Sequence, residues 1–187
     1  MTIRKLLTTA TVILSLVAGN AFAASTKAEK QAEIRAATQT SVAKFIKADP
    51  KLQDQMHKAP GYAVFTTFGL SFIVGGAGGK GLVHENKTKQ DVFMEMAQAS
   101  AGPQVGISEN ETLIIFKTDK GMQEFIAKGW SASTGGAVQA GAAGKSAGPA
   151  TGALENLDAG YYTLTKNGLS VGIVAAGTKF WKDSDLN

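Results

Sequence analysis

Residues 72–83 read FIVGGAGGKGLV, and from Gly76 to Gly81 they spell G-x-G-x-x-G with Lys80 inside. In a dinucleotide-binding loop this pattern follows a strand and opens a helix, whose N-terminus holds the pyrophosphate. A strand is legible before Gly76, but no helix is legible after Gly81. Gly81-Leu82-Val83 leads into another extended run, and Val92 to Met96 reads as a further strand. The acidic residue expected about 20 positions on is not evident either. Glycines inside strands let neighbouring backbones approach closely and let a sheet coil. The stretch therefore reads as a glycine-bearing bend in a sheet. The fold class that follows is α+β: a strongly curved antiparallel β-sheet or barrel-like core, with N-terminal helices and one further packed helix.

The sequence on either side fits that frame. Thr26 and Glu29 have the spacing of a capping box. Ile34, Thr38, Val42 and Phe45, with Ile46 beside them, recur at three- and four-residue steps and predict a helix over 26–48. Asp49-Pro50 ends it and opens a short second helix, with Leu52 and Met56 facing inward. From Pro60 the runs are short and β-prone: YAVFTTF (62–68), LSFIVG (70–75), GLVHE (81–85), DVFMEMA (91–97), PQVGIS (103–108) and TLIIFKT (112–118). Val92, Met94 and Met96 share one face of their strand, and Phe93, Glu95 and Ala97 the other. Residues 118–129 predict a helix with Asp119 as N-cap, Met122, Phe125 and Ile126 as the buried stripe and Gly129 as the stop. Residues 131–153 are nearly all small, which suits a linker or closely packed strands, and we read them as ordered. YYTLT (161–165) and LSVGIVAA (169–176) flank Asn167-Gly168, a hairpin signal, and TKFWK (178–182) is expected to close the sheet.

The chain opens with Arg4 and Lys5, an uncharged and mostly apolar stretch from Leu6 to Gly19, and Ala21-Phe22-Ala23. That is the pattern of a signal peptide over residues 1–23. The expected organisation is this signal peptide, an N-terminal helical segment at 24–58 and a β-rich domain at 59–187, with 24–187 one folded unit. The expected route is Sec export to the periplasm or outside, with peripheral membrane association. Loss of residues 1–23 removes Arg4 and Lys5 and no acid, taking the formal charge from +4 to +2. Such a balance does not suit a nucleic-acid binder. The chain has no cysteine, so neither a disulfide nor a thiolate metal site is available.

Catalytic patterns are missing. Gly144-Lys145-Ser146 ends like a nucleotide loop, but Gln139 stands where its first glycine belongs. His57 and His84 are the two histidines, and His84 beside Glu85 in a strand points to the opposite face from it. No metal-ligand or nucleophile motif accompanies them. The reading is therefore of a protein without catalytic residues, metal, cofactor, nucleotide or nucleic-acid partner.

From Ala59 to Val83 the sequence APGYAVFTTFGLSFIVGGAGGKGLV resembles the signature of the SYLF domain, a lipid-binding module also called the yeast actin-patch-type domain. Ala59, Gly61, Ala63, Val64 and Phe65 match its first segment, and Phe72, Val74, Gly75, Gly76, Gly79, Gly81 and Val83 its second. Gly102-Pro103-Gln104-Val105-Gly106, Leu113 to Phe116, Phe125, Tyr161-Tyr162 and Gly168-Leu169-Ser170-Val171-Gly172 follow in the family's order. Pro60 replaces a usual lysine, His84-Glu85 an arginine segment, and DVFMEMAQAS a tryptophan-bearing one. The resemblance implies binding of anionic phospholipid, phosphoinositide-type in the family and with actin binding in some members, and no catalysis. By position the lipid-binding candidates are Lys80, Arg35, Lys44, Phe45, Ile46 and Lys47, the lysines and arginine supplying charge and Phe45 and Ile46 inserting. Anionic membrane lipids are the expected partner. The alternative is a protein–protein interaction or envelope structural module with an envelope protein as partner, and the 26–48 stripe then packs on the sheet.

Overall fold

The computed structural model describes residues 25–66, 76–99, 110–131, 158–165, 167–172 and 178–187. The stretches read as strands at 70–75 and 103–108, the signal peptide and nearly all of the 131–153 run lie outside the described residues.

The capping box forms as its spacing dictates. Thr26 Oγ1 accepts from the Glu29 amide and the Glu29 carboxylate accepts from the Thr26 amide, opening α1 (Lys27–Ala48). Asp49 is its C-cap, and the same Asp49 carboxylate then accepts from the Lys51 amide at the start of α2 (Lys51–Lys58). The chain next runs through β1 (Gly61–Thr66), β2 (Gly76–Glu85), β3 (Asp91–Ala99) and β4 (Glu111–Phe116). Helix α3 (Asp119–Lys128) follows, then β5 (Trp130–Ser131), β6 (Ala159–Thr165), β7 (Gly168–Val171) and β8 (Thr178–Lys182). At α3 the N-cap is Thr118, not Asp119: its hydroxyl accepts from Gly121 N at 3.1 Å, and Asp119 sits in the first turn, where its charge suits the helix dipole.

All eight strands join one sheet in the order β5-β8-β3-β2-β1-β4-β6-β7, every pair antiparallel, curled into a half-barrel. The last strand does not close the sheet. It inserts between β3 and β5, and among the described strands β5 and β7 stand at the ends of the order. The G-x-G-x-x-G run lies along β2 itself, which excludes a phosphate loop opening a helix. A Cβ on Gly79 would stand 2.8 Å from the Thr66 carbonyl oxygen, and one on Gly81 would strike that of Val64. The glycines thus let β1 and β2 close up where the sheet curls.

The alternation of β3 divides the core in two. Met94 and Met96 join Ala63, Phe65, Val83, Ile114, Phe116 and Phe180 under Met122, Phe125 and Ile126 of α3. On the opposite face Phe45, Leu52 and Met56 of the first two helices cover Val64, Leu113 and Ile115. Beside them Ile34 meets Leu82, Phe93 and Leu186.

Candidate functional site

The charged candidates gather on the face covered by α1. Lys80 in β2 pairs in register with Glu95 in β3, and Glu95 with Trp181 in β8, so three side chains line up across three strands. Lys80 Nζ donates to Glu95 Oε1 at 2.8 Å and to Asp183 Oδ2 at 2.7 Å. The Trp181 indole N–H donates to the other Glu95 oxygen at 2.7 Å. Asp183, only 4 % exposed, also accepts from the amides of Asp185 and Leu186 at 2.9 and 3.1 Å. Burial works against its charge, but Lys80 and these two amides prevail and hold its carboxyl below the usual range. Burial likewise opposes the Lys80 charge, and the bonds to Asp183 and Glu95 outweigh it, holding the ammonium above its usual range.

Two further pairs fasten α1 to the strands. Arg35 Nε donates to Asp91 Oδ2 at 2.7 Å, its guanidinium 4.9 Å from the Phe93 ring centre. Lys44 pairs with Glu111, whose second oxygen is buried without a partner. Asp91 also takes the Nδ1 side of His84 at 2.8 Å, its register partner across the β2–β3 hairpin. His84 is therefore tied across the hairpin to Asp91 and not to Glu85, its neighbour in sequence. Among the described residues no three ligands converge as a metal site.

The structure thus brings Lys80, Arg35 and Lys44 to one face, each already engaged by carboxylates. Lys47 is exposed on the last turn of α1, and Ile46 is half-buried against the core. The expectation for Phe45 is corrected: its ring is 0 % exposed, held among Leu52, Met56, Val64 and Leu113, because the Asp49–Pro50 turn folds α2 back over it. It fills the core and has no surface to insert. The stripe of α1 packs on the sheet, the other outcome considered for it.

A second place escaped the sequence reading. Where α3 ends against β8, residues 128–131 and 179–181 border an open groove, with Trp130 and Phe180 on the α3 side of the sheet and the Trp181 side chain turned to Glu95 on the other. Trp130 stacks on Phe180 with ring centres 6.0 Å apart. Gly129 has φ +68°, and a Cβ there would strike the Phe180 carbonyl, so glycine lets the helix end approach the strand. The signal for it was the recurrence of lysine beside tryptophan in KGW (128–130) and KFWK (179–182).

No helix among the described residues is long and apolar enough to cross a membrane. Residues 97–187 match a family model described as Ysc84, Las17-binding protein actin regulator. Beta cell expansion factor A of Aeromonas veronii is 27% identical over 161 residues, which cover 86% of this chain and 60% of that protein. The chain therefore spans less than two thirds of the length of this curated relative. The groove lies inside the family match, whereas α1 and Lys80 lie before it.

Proposed function

We propose that this chain, whose residues 97–187 belong to the Ysc84 (SYLF) family, is a non-enzymatic module that binds anionic phospholipid at a membrane surface. One observation carries the reading: the carboxylates on the sheet face beneath α1 are spent on internal pairs, and the charge left outside them is cationic. The described residues hold 15 Lys and Arg against 13 Asp and Glu. Arg35, Lys44 and Lys80 are matched inside with Asp91, Glu95, Glu111 and Asp183, which leaves 12 lysines against 9 carboxylates elsewhere. The outward lysines suit an anionic surface at about 1 kcal/mol each when close to it. The same chain, if exported, would meet phosphatidylglycerol-type lipids at an envelope surface, with binding that weakens in salt.

Co-sedimentation tests this directly. The protein is expected to pellet with vesicles containing phosphatidylglycerol at low salt, to be released by about 0.5 M salt, where screening falls within a few ångströms, and to ignore neutral vesicles. Equal pelleting with neutral and anionic vesicles, or none with either, sinks the reading. A protein partner is the second reading, supported by β7, the last of the described strands in the sheet order, where Val171 stands 60% exposed, and by a family description that names a protein. It predicts capture of a protein and indifference to lipid charge.

A further inference from the structure

We propose that one end of the sheet, made by the β2–β3 turn with the last turn of α2 and the first turn of α3 beside it, is the surface that meets the anionic membrane, through Lys58, Lys87, Lys89 and Lys120. This rests on the anionic-lipid reading above and gives it an orientation. At this end β1 begins, β2 ends and β3 begins, with Gly61 opposite Glu85 and His84 opposite Asp91.

Two anchors brace the turn against the helices. Asn86 Nδ2 donates to the carbonyls of Met56 and Ala59 at 2.6 and 2.8 Å, so Lys87 directly follows the residue that grips the end of α2, where Lys58 stands. On the other side Gln123 Nε2 donates to Glu85 Oε1 at 3.2 Å, and Lys120 lies one turn before Gln123 on the same face of α3. All four lysines are exposed. Among the described residues the basic side chains in ion pairs are Arg35, Lys44, Lys80, His84 and Lys128, and none of these four. The nearby acids do not cancel them. Glu85 is taken up by Thr88 Oγ1 and Gln123, Asp119 sits at the amide end of α3, where the helix dipole offsets its charge, and Asp54 lies a turn further back on α2.

The backbone gives a second indication. Lys89 has φ +59°, a conformation that glycine and asparagine adopt more readily than lysine. A cation is thus kept at the tip of a turn where local geometry alone favours glycine. The Lys89 amide donates to the Glu85 carbonyl and the Glu85 amide to the Gln90 carbonyl, both at 2.9 Å, which fixes that shape. Lysines carried on a braced turn meet a surface with little further loss of backbone freedom.

The chain has no cysteine, so single labels can be introduced into the full protein. Gln90→Cys at this turn and Asn167→Cys in the β6–β7 turn, at the opposite end of the sheet, each carry a polarity-sensitive dye. They are titrated with phosphatidylcholine vesicles, with and without phosphatidylglycerol. Anionic vesicles are expected to shift the Gln90→Cys emission to the blue and leave that of Asn167→Cys unchanged. Lys87→Gln with Lys89→Gln is expected to weaken partition about 30-fold. Lys128→Gln with Lys179→Gln removes the same charge elsewhere and is expected to change it much less. Lys89→Gly is expected to weaken partition without lowering the unfolding temperature, a combination that a purely structural lysine does not give. An equal response from the two labels, or equal loss in the two double variants, overturns this orientation and leaves lipid binding intact. A Gln90→Cys response to polyglutamate that matches the response to vesicles assigns the turn to an acidic protein segment and overturns the lipid. No binding to either vesicle removes both readings.

Discussion

The two faces of this sheet are held by different forces. Under α3 the contacts are aromatic: Phe125 lies 5.3 Å from Phe116, 5.6 Å from Phe180 and 6.4 Å from Phe65, ring centre to ring centre, and the cluster holds no charged side chain. Under α1 an apolar patch centred on Phe45 is bordered by ion pairs at Asp91, Glu111 and Asp183. Burial of apolar area depends little on salt or on pH, whereas the paired borders answer to both. The α3 face is thus the fixed part of the fold, and the α1 face is the one that solution conditions can loosen.

The largest effects test the apolar halves. Phe125→Ala is expected to cost about 3–5 kcal/mol in a urea titration, as for other buried phenylalanines. Phe45→Ala is expected to cost a similar amount; a loss below about 1 kcal/mol would mean that α1 is not docked in solution and would restore Phe45 as an inserting residue. Next comes Asp183→Ala, which removes an acceptor of three hydrogen bonds and is expected to cost about 1–3 kcal/mol. Its pH dependence has a definite sign. The folded carboxyl titrates below its unfolded value, so its contribution is complete above the ordinary carboxylate range and fades as pH falls through the folded value. Lys80 titrates above its unfolded value, so its contribution is complete below the ordinary lysine range and fades as pH rises past it. Thermal unfolding scanned across pH should show both shoulders, and Asp183→Ala should flatten the acid one. The smallest effect belongs to Lys44→Gln, expected below about 1 kcal/mol because the lysine is half exposed, and smaller still in high salt.

Local pattern foretold most of the elements. The Thr26–Glu29 capping box, the Leu52 and Met56 stripe and the two faces of β3 follow from spacing alone, and they formed as read. What spacing cannot carry is the identity of a partner far along the chain. Lys80 could be singled out as a cation but not as a paired one, because Glu95 and Asp183 are 15 and 103 residues away. His84 was judged against its neighbour Glu85, although its partner Asp91 lies across the hairpin. TKFWK was legible as a strand, but its place between β3 and β5 depends on pairings that no local window contains. The groove shares that origin, since its two walls come from residues 128–130 and 179–181 and meet only through the sheet.

That placement of β8 also governs timing. The Trp181–Glu95 bond spans 86 residues, and the C-terminal turn closes on Phe93 over 94. A chain emerging N-terminus first can pair β1 with β2 and β2 with β3 early, yet β3 keeps a bare edge until its final residues arrive. Assembly by such distant pairing is slow. Among the described strands the sheet therefore completes only once β8 has been synthesised, and until then β3 keeps an unpaired edge open to other chains.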